Sequence, residues 1–83
     1  MDIELLASRL LSFLCENSYK DKVISRYNIE ISDEDEGYEI LEKVGRKRGM
    51  LISGGEVNTE RAAITVLDEF RSGKLGKITL EEP

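Results

Sequence analysis

Ten residues in the second half of this chain have the types and spacing to hold a phosphate backbone: Lys43, Arg46, Lys47, Arg48, Arg61, Arg71, Ser72, Gly73, Lys74 and Lys77. Lysine and arginine neutralise phosphates and supply most of the sequence-independent affinity for nucleic acid. Structured RNA is read largely through its shape, its phosphates and its 2′-hydroxyls, so a basic turn with an accessible backbone suits it. Gly73 and Gly76 keep the chain around Lys74 and Lys77 open. Taken singly, the same bases equally well complement the negative ends of helices or decorate a surface. On the residues alone, RNA binding and docking on another protein both stand.

Other chemistries lack their residues. Histidine is absent, which removes the commonest general base and metal ligand together. The single cysteine, Cys15, falls on an amphipathic helix near Leu11 with no base to activate it, and reads as a small buried hydrophobe. Asp33, Glu34, Asp35 and Glu36 lack the alternating ligands and glycine of a calcium loop. They read as helix-start acids, with Ser32 as the cap. Gly49-Met50-Leu51-Ile52-Ser53-Gly54 has the spacing of a phosphate-binding loop up to its second glycine. Gly55-Glu56 then stand where lysine and a hydroxyl residue are needed. No metal, nucleotide or catalytic site is expected in this chain, and no carboxylate reads as sequestered in an apolar setting where its pKa would rise.

The elements that must position the bases are helices. Ile3, Leu6, Ala7, Leu10, Phe13 and Leu14 recur at three- and four-residue steps, which predicts a helix over 3–16 capped by Asp2. Leu5, Leu11 and Cys15 widen its apolar band, so it must touch more than one neighbour. A short helix is expected near 19–27, then a connector with Ile29 and Ile31 inward. A third helix spans 37–48, with Tyr38, Leu41 and Val44 on its inner face, a basic end at Arg46-Lys47-Arg48, and a stop at Gly49. Met50-Leu51-Ile52 is expected to pack inward, before a turn at Ser53-Gly54-Gly55. The last helix starts at Asn58 and runs to about Ser72, with Ala62 and Ala63 allowing close approach and Gly73 just past its end. The expected fold is an all-α bundle of about four helices in one small domain, 1–83.

Charge is unevenly spread. The 83 residues carry a formal net charge of −5, but residues 1–42 are net −7 and residues 43–77 net +4. The total argues against indiscriminate nucleic-acid binding, while the asymmetry leaves a local basic footprint. No run approaches the ~20 apolar residues of a membrane span. The acidic start lacks the basic region of a secretory signal, and one cysteine makes no internal disulfide. A monomer in the cytoplasm, or in an organelle matrix, with no membrane partner is expected.

Asp68-Glu69-Phe70-Arg71-Ser72-Gly73-Lys74-Leu75-Gly76-Lys77-Ile78 resembles the C-terminal signature of the ribosome biogenesis GTPase A family. The resemblance extends upstream through Arg46-Lys47-Arg48-Gly49, then Gly54-Gly55-Glu56-Val57-Asn58, then Arg61-Ala62-Ala63, in the family's order and spacing. Asn58 stands where the family usually has Asp, and it caps equally well. The resemblance implies the helical C-terminal domain of such a protein, similar in fold to RNA-binding domains of transcription antiterminators. It implies a role in placing a circularly permuted GTPase domain on ribosomal RNA of the large-subunit precursor. GTP and magnesium would belong to that GTPase domain, which this chain does not include. Arg46, Lys47, Arg48, Arg71, Ser72, Gly73, Lys74 and Lys77 become the RNA-facing positions, while Gly54, Gly55 and Asn58 become turn and cap residues. The alternative is a protein-interaction module, docking on a ribosomal protein or on its own GTPase domain through the wide apolar band of residues 3–15.

Overall fold

A computed structural model describes residues 2–75. They form a small all-α bundle: α1 (Ile3–Glu16), α2 (Lys20–Tyr27), α3 (Gly37–Lys47) and α4 (Thr59–Arg71). Among the described residues the only β pairing is an isolated antiparallel bridge between Leu51 and Val57, and no helix is long and apolar enough to cross a membrane.

Helix α1 is the hub, because its apolar band faces all three other helices. Ala7, Leu11 and Leu14 are fully buried, together with Val23 of α2, Leu41 and Val44 of α3, and Ala62, Ala63 and Val66 of α4. Each large aliphatic side chain buried here contributes about 1.5–3 kcal/mol. The Asp2 carboxylate accepts the Leu5 N–H at 3.1 Å and caps α1. Glu4, in the first turn, accepts the Thr59 hydroxyl at 2.6 Å and ties the start of α1 to the start of α4. Helix α3 begins directly on the backbone of α1: a Cβ on Gly37 would lie 1.9 Å from the Ser8 carbonyl oxygen, so only glycine fits.

The two basic helix ends share one geometry. At the end of α3 the Gly49 N–H bonds the Arg46 carbonyl at 3.1 Å, and the Met50 N–H bonds Gly45 at 2.8 Å. At the end of α4 the Gly73 N–H bonds Phe70 at 3.3 Å, and the Lys74 N–H bonds Glu69 at 2.9 Å. This pair of bonds is the Schellman closure, which needs a left-handed residue after the cap; Gly73 supplies it at φ +80°. Helix α1 also returns a bond across its end, from the Tyr19 N–H to the Leu14 carbonyl at 2.9 Å, but the left-handed residue there is Ser18 at φ +72°.

Four expectations change. Leu51 and Ile52 do not pack inward: they stand about half exposed on the α3–α4 connection, and Met50 alone turns toward the core. The connection is a narrow loop closed by Ile52 N–H to Glu56 O (2.8 Å) and Asn58 N–H to Met50 O (2.7 Å), and it leaves its outer side chains in water. Tyr38 is likewise exposed, because Gly37 brings the first turn of α3 so close to α1 that its neighbour is directed outward. Ser32 does not cap α3. It closes a turn of its own, donating its N–H to Asp35 (3.0 Å) and accepting the Glu34 N–H (3.3 Å), while Glu36 is the cap and its N–H bonds Glu39 at 2.8 Å. Finally, a carboxylate is sequestered after all: Glu69 is buried on α4.

Candidate nucleic-acid interface

The periodicity of α4 explains the position of Glu69. Ala62, Val66 and Glu69 fall on one stripe, so the helix that buries the first two must carry the third inward. A buried carboxylate needs partners, and two arginines converge on it from different elements. Arg26 of α2 donates Nε–H to Oε1 at 3.1 Å, and Arg48, the C-cap of α3, donates to Oε2 at 3.3 Å. The Arg48 guanidinium also lies 5.1 Å from the centre of the Tyr27 ring, over its face, a cation–π contact. Burial by itself would push the Glu69 carboxyl up. The bonds from Arg26, the nearby Tyr27 hydroxyl and the charge of Arg48 outweigh burial and hold it below the usual carboxylate range. Tyr27 is shifted the other way, above the usual phenol range, by burial first and by the Glu69 carboxylate second. Its hydroxyl has no partner at ordinary hydrogen-bond geometry, so the two groups act on each other without a well-formed bond.

Around this clamp lie two basic grooves. The first, about 420 Å³, is lined by Lys43, Arg46 and Lys47 of α3 and by Asn28, Ile29 and Glu30 after α2. The steps from 43 to 46 and 47 place the three bases on one helix face. The second groove, about 480 Å³, lies between α2 and the turn after α4, lined by Asp21, Lys22, Ser25, Arg26, Lys74 and Leu75.

The sequence-derived positions therefore divide by environment. Lys43, Arg46 and Lys47 come together. Lys43 is also engaged: its ammonium donates to the Glu30 carbonyl at 2.8 Å and pairs with Asp35. The Asp35 carboxyl is held below its usual range, first by the Lys43 bond and then by the Ser32 backbone. Arg48 faces Glu69 and Tyr27 and not the first groove. Lys74 joins Lys22 and Arg26. Ser72 is the C-cap of α4 and donates its hydroxyl to the Glu69 carbonyl at 3.3 Å, so it and Gly73 shape the turn. Arg71 is exposed at the end of α4, and Arg61 is exposed in its first turn, where its N–H bonds the Asn58 cap at 3.1 Å; neither lines either groove. Lys77 lies outside the described residues. Lys22, Arg26 and Glu69 were not singled out by sequence reasoning. The signal for the first two was a pair of bases four residues apart on α2, and for Glu69 a lone charge on an apolar stripe.

No family profile matches the chain. Curated proteins do. It is 35% identical over all 83 of its residues to a ribosome biogenesis GTPase A of Bacillus cereus, of which the match covers 27%. It is 36% identical over 73 residues to the protein of that name from Bacillus pumilus, covering 88% of this chain and 25% of the relative. Over 60 residues it is 38% identical to an uncharacterised GTP-binding protein of Methanocaldococcus jannaschii, covering 71% of the chain and 16% of that protein. The chain thus spans about a quarter of the length of the bacterial relatives it matches. Matched along its whole length at 35% identity, the chain belongs to the ribosome biogenesis GTPase A family as the counterpart of one segment of its members.

Proposed function

We propose that this chain is the ribosome-docking domain of a GTPase that assists large-subunit assembly, and that it docks by gripping ribosomal RNA through backbone phosphates. The observation that carries the reading is the grouping of Lys43, Arg46 and Lys47 on one groove of a chain whose net charge is otherwise negative. Arg46 and Lys47 present charge to the ligand. Lys43, tied to Asp35 and Glu30, fixes the wall of the groove. Arg48, locked to Glu69, sets where the end of α3 sits relative to α2 and α4. The domain positions and does no chemistry, and nucleotide hydrolysis belongs to a GTPase domain elsewhere in the full protein. Phosphate contacts of this kind orient a protein without reading sequence.

A second reading, docking on a protein, draws on Leu5 and Leu6, which stand 47% and 42% exposed on α1. Salt separates the two. A phosphate grip predicts that log affinity for a large-subunit rRNA transcript falls linearly with log salt, at about 0.9 per contact for duplex nucleic acid. An apolar contact predicts a shallow slope. Arg46→Gln with Lys47→Gln should remove about two from the slope and leave the thermal melt unchanged. An unchanged slope, or binding only to protein-bearing particles, would refute the phosphate reading.

A further inference from the structure

We infer that the groove between α2 and the turn after α4 is a second seat for RNA backbone phosphates, with Lys22, Ser25, Arg26 and Lys74 as its ligands; this extends the docking reading above. Lys22 and Arg26 are four residues apart, so they share a face of α2 with a rise of about 6 Å between them. Ser25 adds a hydroxyl donor beside them. Lys74 reaches the groove from the opposite wall, because Gly73 turns the chain there through its left-handed conformation. Leu75, 3% exposed, forms the floor and anchors that wall to the core.

Glu69 builds both walls at once. Its side chain takes the Arg26 Nε–H at 3.1 Å, and its backbone carbonyl takes the Lys74 N–H at 2.9 Å. The Arg26 guanidinium is therefore fixed in orientation through Nε. Among the described residues its η nitrogens have no partner, which leaves the forked donors that suit a phosphate oxygen pair. The same carboxylate holds Arg48 at the end of α3, the helix that carries Lys43, Arg46 and Lys47 of the first groove. Two basic grooves, one against α2 and the other just past its C-terminal end, fit an extended polyanion better than a single small anion. Asp21, the one acid on the rim, sits in the first turn of α2.

The test uses this 83-residue chain and a protein-free transcript of a large-subunit rRNA domain, with affinity measured across a salt series. Lys22→Gln with Lys74→Gln should lower the slope of log affinity against log salt by about 2, equally for unrelated RNA sequences. Lys22→Arg with Lys74→Arg should restore it, which controls for a folding defect. If the glutamine pair keeps the wild-type slope while Arg46→Gln with Lys47→Gln lowers it, the second seat is refuted and the docking reading stands. If the wild-type protein fails to bind the transcript but binds ribosomal particles, both are refuted in favour of an acidic protein surface.

Discussion

Replacing Glu69 with glutamine isolates the clamp on which both grooves depend. Glutamine keeps the shape and one acceptor but removes the charge. Hydrogen bonds to a charged acceptor contribute about 1.5–3 kcal/mol, against about 0.5–1.5 for neutral ones. Breaking a fully buried pair costs about 3–5 kcal/mol, whereas an exposed pair is worth about 0–1. Glu69 is closed to solvent, but Arg26 and Arg48 are each about a third exposed, at 35% and 32%, and water screens them. The expected loss lies between those limits, at about 1–2 kcal/mol. For a chain of this length that is about 4–8 °C in Tm for each kcal/mol. The pH dependence carries the sharper signature. The Glu69 carboxyl is depressed in the folded state, so the unfolded chain binds the extra proton. Its stabilisation is fully present above the unfolded carboxylate value of about 4.3 and is lost as pH falls through the lower folded value. Urea unfolding at a series of pH values should therefore show wild type and Glu69→Gln separated at pH 7 and converging in acid. Equal stability at pH 7, or a gap that widens in acid, would show that Glu69 is not the centre of an ion cluster.

Gly37→Ala should destabilise the bundle by at least 2 kcal/mol, since its methyl group would meet the Ser8 carbonyl, an atom of the α1 backbone that cannot rotate away. Denaturant titration checks this, and a loss under 0.5 kcal/mol would mean that α3 does not start on α1. Ser18→Gly should stabilise by about 1 kcal/mol, because it relieves a left-handed residue that carries a Cβ; a lower melting temperature would contradict that geometry. The half-buried Cys15 thiol is pushed up by burial, against the lowering effect of Lys20, so it should react with a disulfide reagent at pH 8 more slowly than a free thiol. A rate equal to that of free cysteine would place it at the surface.

The helices were legible because each rests on local rules. Three- and four-residue apolar steps gave α1 and α4, and Gly49 and Gly73 marked where α3 and α4 turn. The fate of Leu51, Ile52 and Tyr38 was not legible. Apolar type argues for burial, but a narrow hairpin-like loop and a glycine-tight helix start left those side chains no interior to enter. The basic residues could be collected from sequence but not sorted. Whether Arg48 reaches ligand or Glu69 depends on a carboxylate 21 residues away, and Lys43 meets Asp35 only because the turn at Ser32–Asp35 packs beside α3. Lys22 and Arg26 belong to the net-negative half, so a half-by-half charge count concealed them. Their contribution comes from the fold, which lays α2 between the basic end of α3 and the turn after α4.

An NMR titration of the ¹⁵N-labelled protein with a protein-free large-subunit rRNA transcript tests the phosphate grip most directly. Amide shifts should gather at Lys22–Arg26, Lys43–Lys47 and Lys74–Leu75, the walls of the two grooves, and fade together as salt is raised. Shifts confined to Leu5 and Leu6, or scattered through the acidic segment from Asp33 to Tyr38, would contradict it.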